Sequence, residues 1–237
     1  MTDAHGLGRK VENWQPPKRP DGEVLEGRYA RLELLDADAH ASRLHAANRL
    51  DDHIWDFLGY GPFASEAEYH QWVQQMTSGD DPLFYAIKNL QSGRFEGVAS
   101  FLRIHPEAGS IEVGHINFAP PLQRSRAATE AMFLMMQWVY QAGYRRYEWK
   151  CNALNLGSRR AAQRLGFSYE GIFRQAAISK GRNRDTAWYA SIDQEWPALK
   201  AAFETWLAAD NFDAKGRQKQ SLSELTRPIR VCDDPAL

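Results

Sequence analysis

Cysteine is almost absent from this chain: of 237 residues only Cys151, inside a β-like run, and Cys232, in the last polar stretch, carry a thiol. Two such residues build no disulfide framework and lack the paired spacing of a zinc site, so no metal is expected and a reducing, cytoplasmic setting is. Long apolar runs are missing too. No stretch approaches roughly 18 consecutive apolar residues and the opening residues hold no apolar secretion-signal core, so no membrane partner is expected. Neither sign of charge dominates, with 29 Lys and Arg against 30 Asp and Glu, and a formal net charge of −1 gives no long-range attraction to nucleic acid. What is present is 43% hydrophobic and 12% aromatic, enough to bury a sizeable core. The length suits one α/β domain of roughly 150–200 residues with extensions.

Turn residues and periodicity divide the chain. Residues 1–21 carry Gly6, Gly8, Pro16, Pro17 and Pro20 with little pattern and read as an irregular N-terminal arm, with Trp14 available for packing. The domain proper is expected over 22–195. A strand fits Tyr29–Leu35, where Leu32 and Leu34 alternate with Arg31 and Glu33. Asp36 or Asp38 caps the helix that follows, the aromatic and Gly/Pro-broken Asp51–Phe63 interrupts, and Ser65 caps a second helix over Glu66–Thr77. Leu83–Lys88, Phe95–Ile104 and Ile111–Phe118 read as an antiparallel meander. It feeds a helix over Ala127–Gln141 ended by Gly143. A fifth strand at Arg146–Cys151, a helix at Leu156–Leu165 closed by Gly166, and strands at Phe167–Phe173 and Thr186–Ile192 complete the domain. An additional helix is expected within 196–212 and a polar tail over 213–237. The order β-αα-βββ-α-β-α-ββ is mixed α/β and does not suit a doubly wound parallel sheet.

The informative junction is IEVGHINFAPPLQRSRAATE, Ile111–Glu130. A strand stopped by Pro120-Pro121 runs into a strongly helical segment, and such a junction directs unpaired N–H groups and the positive end of the helix dipole at one spot. Phosphate binds well there. Neither GxGxxG nor GxxxxGK[ST] occurs at the junction, which disfavours a nucleotide-dependent enzyme.

Two segments, FAPPLQRSRAATEAM at Phe118–Met132 and NLGSRRAAQRLGF at Asn155–Phe167, together resemble the GCN5-related N-acetyltransferase superfamily, in particular its ribosomal-protein alanine acetyltransferase (RimJ/RimL-type) branch. The superfamily's phosphate-binding signature, Gln/Arg-x-x-Gly-x-Gly/Ala, aligns with Gln123, Arg124, Ser125, Arg126, Ala127 and Ala128, followed by Thr129. Asn155, Ser158 and Leu165-Gly166-Phe167 supply the second signature. The resemblance spans about 27–192 and implies a mostly antiparallel central sheet, splayed between the fourth strand (Ile111–Phe118) and the fifth, with helices on both faces. It implies acetyl-CoA as acyl donor and a primary amine of a small metabolite, peptide or protein N terminus as acceptor. A homodimer is compatible with exposed sheet edges.

By the same resemblance Asn117 and Phe118 offer backbone groups to the pantetheine arm, N–H groups across Arg124–Thr129 receive pyrophosphate, and Asn155 hydrogen-bonds the arm. Arg126 replaces the signature's first glycine, so its side chain must turn outward. Arg124 and Arg126 then either add charge-assisted contacts to phosphate or are solvated. Direct attack in a ternary complex requires a base, and Glu112 and His115 on the fourth strand are candidates, each with a structural reading beside it. Strand alternation sends the two to opposite faces unless a bulge intervenes. The tyrosine acid of many members is replaced by Ala162, leaving Ser158 or water to protonate the thiolate, or its release unprotonated. Cys151 reads as a buried strand residue, not an acyl carrier. Trp55, Phe57, Tyr60 and Phe63 either line the acceptor pocket or pack the core, and the basic loop Lys180–Asp185 either attracts a carboxylate-bearing amine or acidic peptide, or is a solvated hairpin. A non-catalytic acyl-CoA-binding sensor is the competing reading.

Overall fold

The structure, a computed structural model, describes residues 6–237. One eight-stranded sheet organises it, in the order β1-β2-β3-β4-β5-β6-β8-β7. The strands are β1 (Leu25–Glu26), β2 (Ala30–Leu34), β3 (Leu83–Asn89), β4 (Arg94–His105), β5 (Ser110–Phe118), β6 (Arg146–Asn152), β7 (Ser168–Ser179) and β8 (Arg182–Ile192). Short β1 precedes the first expected strand, so the fourth and fifth expected strands are β5 and β6. Every neighbouring pair is antiparallel except β5 with β6, which run parallel. That pairing begins at Ser110↔Arg146 and ends at Val113↔Trp149. Beyond Val113 the two strands part, which is the expected splay.

Alternation gives the sheet two apolar faces, and helices cover both. On one face Phe84, Ala86 and Val98 pack with Ala41, Leu44, Tyr69 and Val73 of α1 (Ala37–Asn48) and α2 (Glu66–Met76). On the other, Tyr85, Ile87, Ala99 and Phe101 meet the buried stripe of α3 (Arg126–Gln141), joined by α4 (Leu156–Arg164) and α5 (Trp196–Leu207). The caps follow the sequence: Asp36, not Asp38, accepts from the Ala39 N–H, and Ser65 accepts from Glu68. Glu130 of α3 ties the faces' edge together, its carboxylate accepting from the backbone N–H groups of Arg28, Tyr29 and Ala30 at 3.0, 2.5 and 2.7 Å. Gly27 permits that approach, since a Cβ there would lie 2.4 Å from Glu130 Oε2.

The N-terminal arm packs through Trp14, whose indole donates to the Glu107 carbonyl and lies under the Arg145 guanidinium. The polar segment after Asp213 is a folded strap. It carries α6 (Leu222–Thr226) with a capping box at Ser221 and buries Leu222, Thr226 and Asp234. Asp234 closes a bidentate pair with Arg159 of α4, at 2.7 Å to Nε and 2.5 Å to Nη2, and also accepts from the Tyr189 hydroxyl. The sequence reading took polarity as a sign of a tail; here the polar groups are the anchor. Among the described residues no helix is long and apolar enough to cross a membrane.

Candidate active site

A cleft of about 1630 Å³ runs from the start of α3, past the parting of β5 and β6, to the sheet face beside α2. Ligand pockets usually occupy ~300–1,000 Å³, so this cleft is large enough for two substrates to meet. Ser125 builds its first end. It is the N-cap of α3, and its hydroxyl accepts from the Ala128 N–H at 3.0 Å. The Thr129 N–H is taken by the Ser125 carbonyl, whereas the N–H groups of Arg124, Arg126 and Ala127 make no hydrogen bond within the described chain. Arg124 holds a left-handed φ of 57°, which turns the chain into the helix with its donors outward. Five arginines, Arg28, Arg124, Arg126, Arg160 and Arg164, border this end.

Arg126 turns outward as its replacement of glycine demands, but it is not simply solvated. Its guanidinium stacks on Phe212, 3.7 Å from the ring centroid. Arg164, which the sequence reading did not single out, reaches from α4 to Thr129 Oγ1 at 3.1 Å and stacks on Trp206. Burial lowers its pKa. Only the three-dimensional approach of α4 to α3 reveals it. Asn155 caps α4 by accepting from the Ser158 N–H at 3.0 Å, and Ser158 Oγ accepts from Trp149 Nε1 at 3.0 Å. The Ser158 hydroxyl also neighbours the Cys151 sulfur, so its hydrogen has an acceptor on the sheet as well as the cleft to point into.

The other end is built by a β-bulge. Ser100 pairs with Gly114 but Val98 pairs with Asn117, so β5 carries one more residue than β4 across this step. His115, at φ 50°, sits in it. The bulge returns His115 to the face of Glu112, where its Nδ1 lies 3.0 Å from the Tyr60 hydroxyl and its ring packs on Phe84. Alternation alone assigns the two side chains to opposite faces; the bulge overrides it. Glu112 is 3% exposed. Its Oε1 accepts from Arg103 at 2.8 Å, and its Oε2 is ion-paired with Lys150 Nζ at 2.8 Å. Burial pushes the Glu112 pKa up and outweighs the pull of Lys150 and Arg103.

Burial, aided by the charges of Arg103 and Arg184, lowers the His115 pKa to about 4. An unfolded chain titrates its histidine near pH ~6.5, so it takes up this proton first on acidification. The stabilising contribution of neutral His115 is complete above about pH 6.5 and is lost as pH falls toward about 4. His115→Asn, which tolerates the left-handed φ, is expected to flatten that part of the stability curve. Urea denaturation of both proteins between pH 4 and 7 measures it, and parallel curves would contradict the assignment.

Other expected site residues are placed differently. Phe57, Tyr60 and Phe118 line the cleft. Trp55, at 3% exposure, packs edge-on against Phe63, and both belong to the core under α2 instead of the lining. Asn117 is buried with its side-chain amide unpartnered, and Ala127 is buried in α3; neither side chain borders the cleft. Ala162 is fully buried. Cys151 is buried on β6 and burial raises its pKa, which keeps it a thiol. Among the described residues no group of three or more His, Cys, Asp and Glu could hold a metal ion.

Comparison with known proteins agrees with this architecture. The profile of the Acetyltransferase (GNAT) domain family matches residues 31–168. A GCN5-related N-acetyltransferase from Brucella melitensis is similar at 47% identity and a TM-score of 0.90, over 92% of this chain and 100% of that one. A probable GNAT-family acetyltransferase from Chromobacterium violaceum ATCC 12472 is similar at 36% identity and a TM-score of 0.77, over 81% of this chain and 96% of that one. RimL, a ribosomal alpha-N-protein acetyltransferase solved in complex with coenzyme A, shares the fold at 24% identity and a TM-score of 0.59, over 72% of this chain and 99% of that one. No match was found among curated proteins. A profile spanning more than half of the sequence and a relative matched along its whole length lead to one statement: the chain belongs to the GCN5-related N-acetyltransferase family.

Proposed function

We propose that this protein transfers an acetyl group from acetyl-CoA to a primary amine by direct attack in a ternary complex, as a member of the RimJ/RimL-type branch. The observation that carries the reading is a single cleft joining the unpaired N–H groups at the head of α3 to the buried Glu112. Acetyl-CoA supplies a thioester carbonyl open to attack and a thiolate leaving group. The residues present fit it. The N–H groups of Arg124, Arg126 and Ala127, with Arg124 and Arg164, would hold its phosphates at the positive end of the helix dipole. The edge of β5 from Gly114 onward has no strand on its β6 side, so its outward backbone groups are available to the extended arm and to a developing oxyanion.

Glu112 then removes the amine's proton, directly or by way of one water. Neutral His115, fixed by Tyr60, orients the nitrogen. Ser158, which already accepts the Trp149 N–H, donates a hydrogen bond to the departing sulfur, which leaves as the thiolate and takes its proton from water. The amine is a small metabolite, a peptide or a protein N terminus. A thiol-release assay with acetyl-CoA against a panel of such amines tests the reading.

A second reading, an acyl-CoA-binding module without turnover, draws on the double ion pairing of Glu112 and on Ala162. Tight CoA binding with no thiol released from any amine would select it. Either way Arg124→Ala is expected to weaken CoA binding about tenfold, as loss of a charge-assisted hydrogen bond does. Thermal-shift titration measures this, and stabilisation by ATP or NAD but not CoA would overturn the cofactor assignment.

A further inference from the structure

The charge of the cleft is strongly one-sided in a chain whose total is close to neutral. Among the described residues, Glu112 is the only carboxylate in the lining. Five arginines surround the head of α3, where phosphates would sit. Three further cations, Arg103, Lys150 and Arg184, stand at the Glu112 end, where the acceptor must enter.

Two of these three are committed. Lys150 contacts Glu112 at 2.8 Å and Glu148 at 2.6 Å, and Arg103 donates to Glu112. Among the described residues Arg184 has no carboxylate within ion-pairing distance and no partner for its side chain's Nε, which is buried. A buried donor of this kind is destabilising until a partner satisfies it, and more so when charged. The sheet aims Arg184 at the reaction centre. Lys150 pairs with Trp188 and Asn152 with Thr186, so Arg184, two residues further along β8, lies on the same sheet face as Lys150, Glu148 and Glu112. His115 and Cys151 both feel its charge. The hairpin carrying it is fixed across the cleft by Lys180, which donates to the Trp55 carbonyl at 2.8 Å. Asp185, next to Arg184 in the chain, is taken up by the Gln175 N–H and the Asn183 amide, while Asp52 and Asp56 are exposed on the turn around Trp55 and Asp56 is paired with His53.

We propose that Arg184 selects the acceptor: its guanidinium binds a carboxylate carried by the amine substrate, while Glu112 meets the ammonium end. The protein thus acetylates amino-carboxylates in preference to neutral or purely cationic amines. This rests on the acetyltransferase reading given above. The carboxylate is either the α-carboxylate of a free amino acid or the acidic side chain of an N-terminal residue.

Steady-state assays with acetyl-CoA would compare free amino acids with their amides, and dipeptide amides beginning with Asp or Glu with those beginning with Asn or Gln. The expected ratio of kcat/KM, acid over its neutral partner, is about tenfold or more in one of the two series, and that series identifies the source of the carboxylate. Arg184→Gln should bring the ratio close to one through KM, and Arg184→Lys should keep part of it. Neutral amines used as well as acids, or an unchanged ratio in Arg184→Gln, overturns the inference alone. Absence of turnover on every amine overturns the acetyltransferase reading as well. Thermal denaturation of the variants separates loss of fold from loss of selection.

Discussion

Glu112→Gln is expected to lower kcat by about 10²–10⁴-fold, the usual contribution of a positioned base, while CoA affinity stays within a few-fold of the original. The amide keeps the shape of the carboxylate but cannot take a proton at the position of Oε2. The change also removes one counter-charge from Lys150, but Glu148 remains 2.6 Å from that ammonium and Arg103 is half in solvent, so the local fold should survive. Pre-steady-state turnover with saturating acetyl-CoA reads the chemical step, and CoA titration reads binding. A kcat within a few-fold of the original would remove Glu112 from the mechanism. In that case His115→Asn becomes the decisive variant, since neutral His115 is the other proton acceptor on that face. A base with its pKa lowered to about 4 takes up a proton from an ammonium less readily than a carboxylate whose pKa burial has raised, which is why Glu112 is preferred.

Asp234→Ala should be the most destabilising single change. Arg159 is 4% exposed and Asp234 3%, and the substitution leaves a buried guanidinium with only the Ala153 carbonyl and the Tyr189 hydroxyl. Breaking one partner from a buried pair costs about 3–5 kcal/mol. For a chain of this size each kcal/mol moves Tm by about 2–4 °C, so a fall of ~6–20 °C is expected. The pH dependence has a defined sign. Burial opposes ionisation of Asp234, but the Arg159 guanidinium and Tyr189 hydroxyl prevail and hold its pKa below the ordinary carboxylate value. Its contribution is therefore present above that ordinary value and is lost as pH falls through the lowered one. Replacing both partners together, Arg159→Met with Asp234→Leu, should recover much of the loss, because no charge is then left buried. A Tm for Asp234→Ala within about 2 °C of the original would mean that the strap is not held by this pair.

The sequence exposed those parts of the fold that rest on local chemistry. Caps at Asp36 and Ser65 and the helix-closing Gly143 and Gly166 place the helices, because each satisfies or ends a helix with its own side chain or φ. Elements without a local signature were read short or not at all. β7 continues to Ser179, six residues past its expected end, since its outer half is exposed on one edge of the sheet and shows no alternation. The strap was invisible because burial of Asp234 depends on Arg159, 75 residues earlier in the chain. The site divides in the same way. The unpaired N–H groups at the head of α3 lie within one contiguous segment, and its order of strand, Pro-Pro stop and helix is legible in the sequence. Lys150, Arg164 and Arg184 owe their places to strand register and helix approach, and no spacing in the sequence announces them.

The bulge on β5 has one more implication. Take His115 out of the count and this stretch of the ladder between β4 and β5 becomes regular: Gly114 still opposes Ser100, Ile116 falls opposite Ala99, and Asn117 still opposes Val98. Ile116 already packs with the Ala99 side of the core, and Asn117 already shares Val98's side, so every other residue of the strand keeps its neighbours. His115 is thus the residue that β5 does not need in order to be a strand. A chain shortened by that residue would form a smoother hairpin and shed a left-handed φ, yet it would lose the imidazole that meets Tyr60 and Phe84. Selection for stability and selection for chemistry would favour different lengths of the same strand.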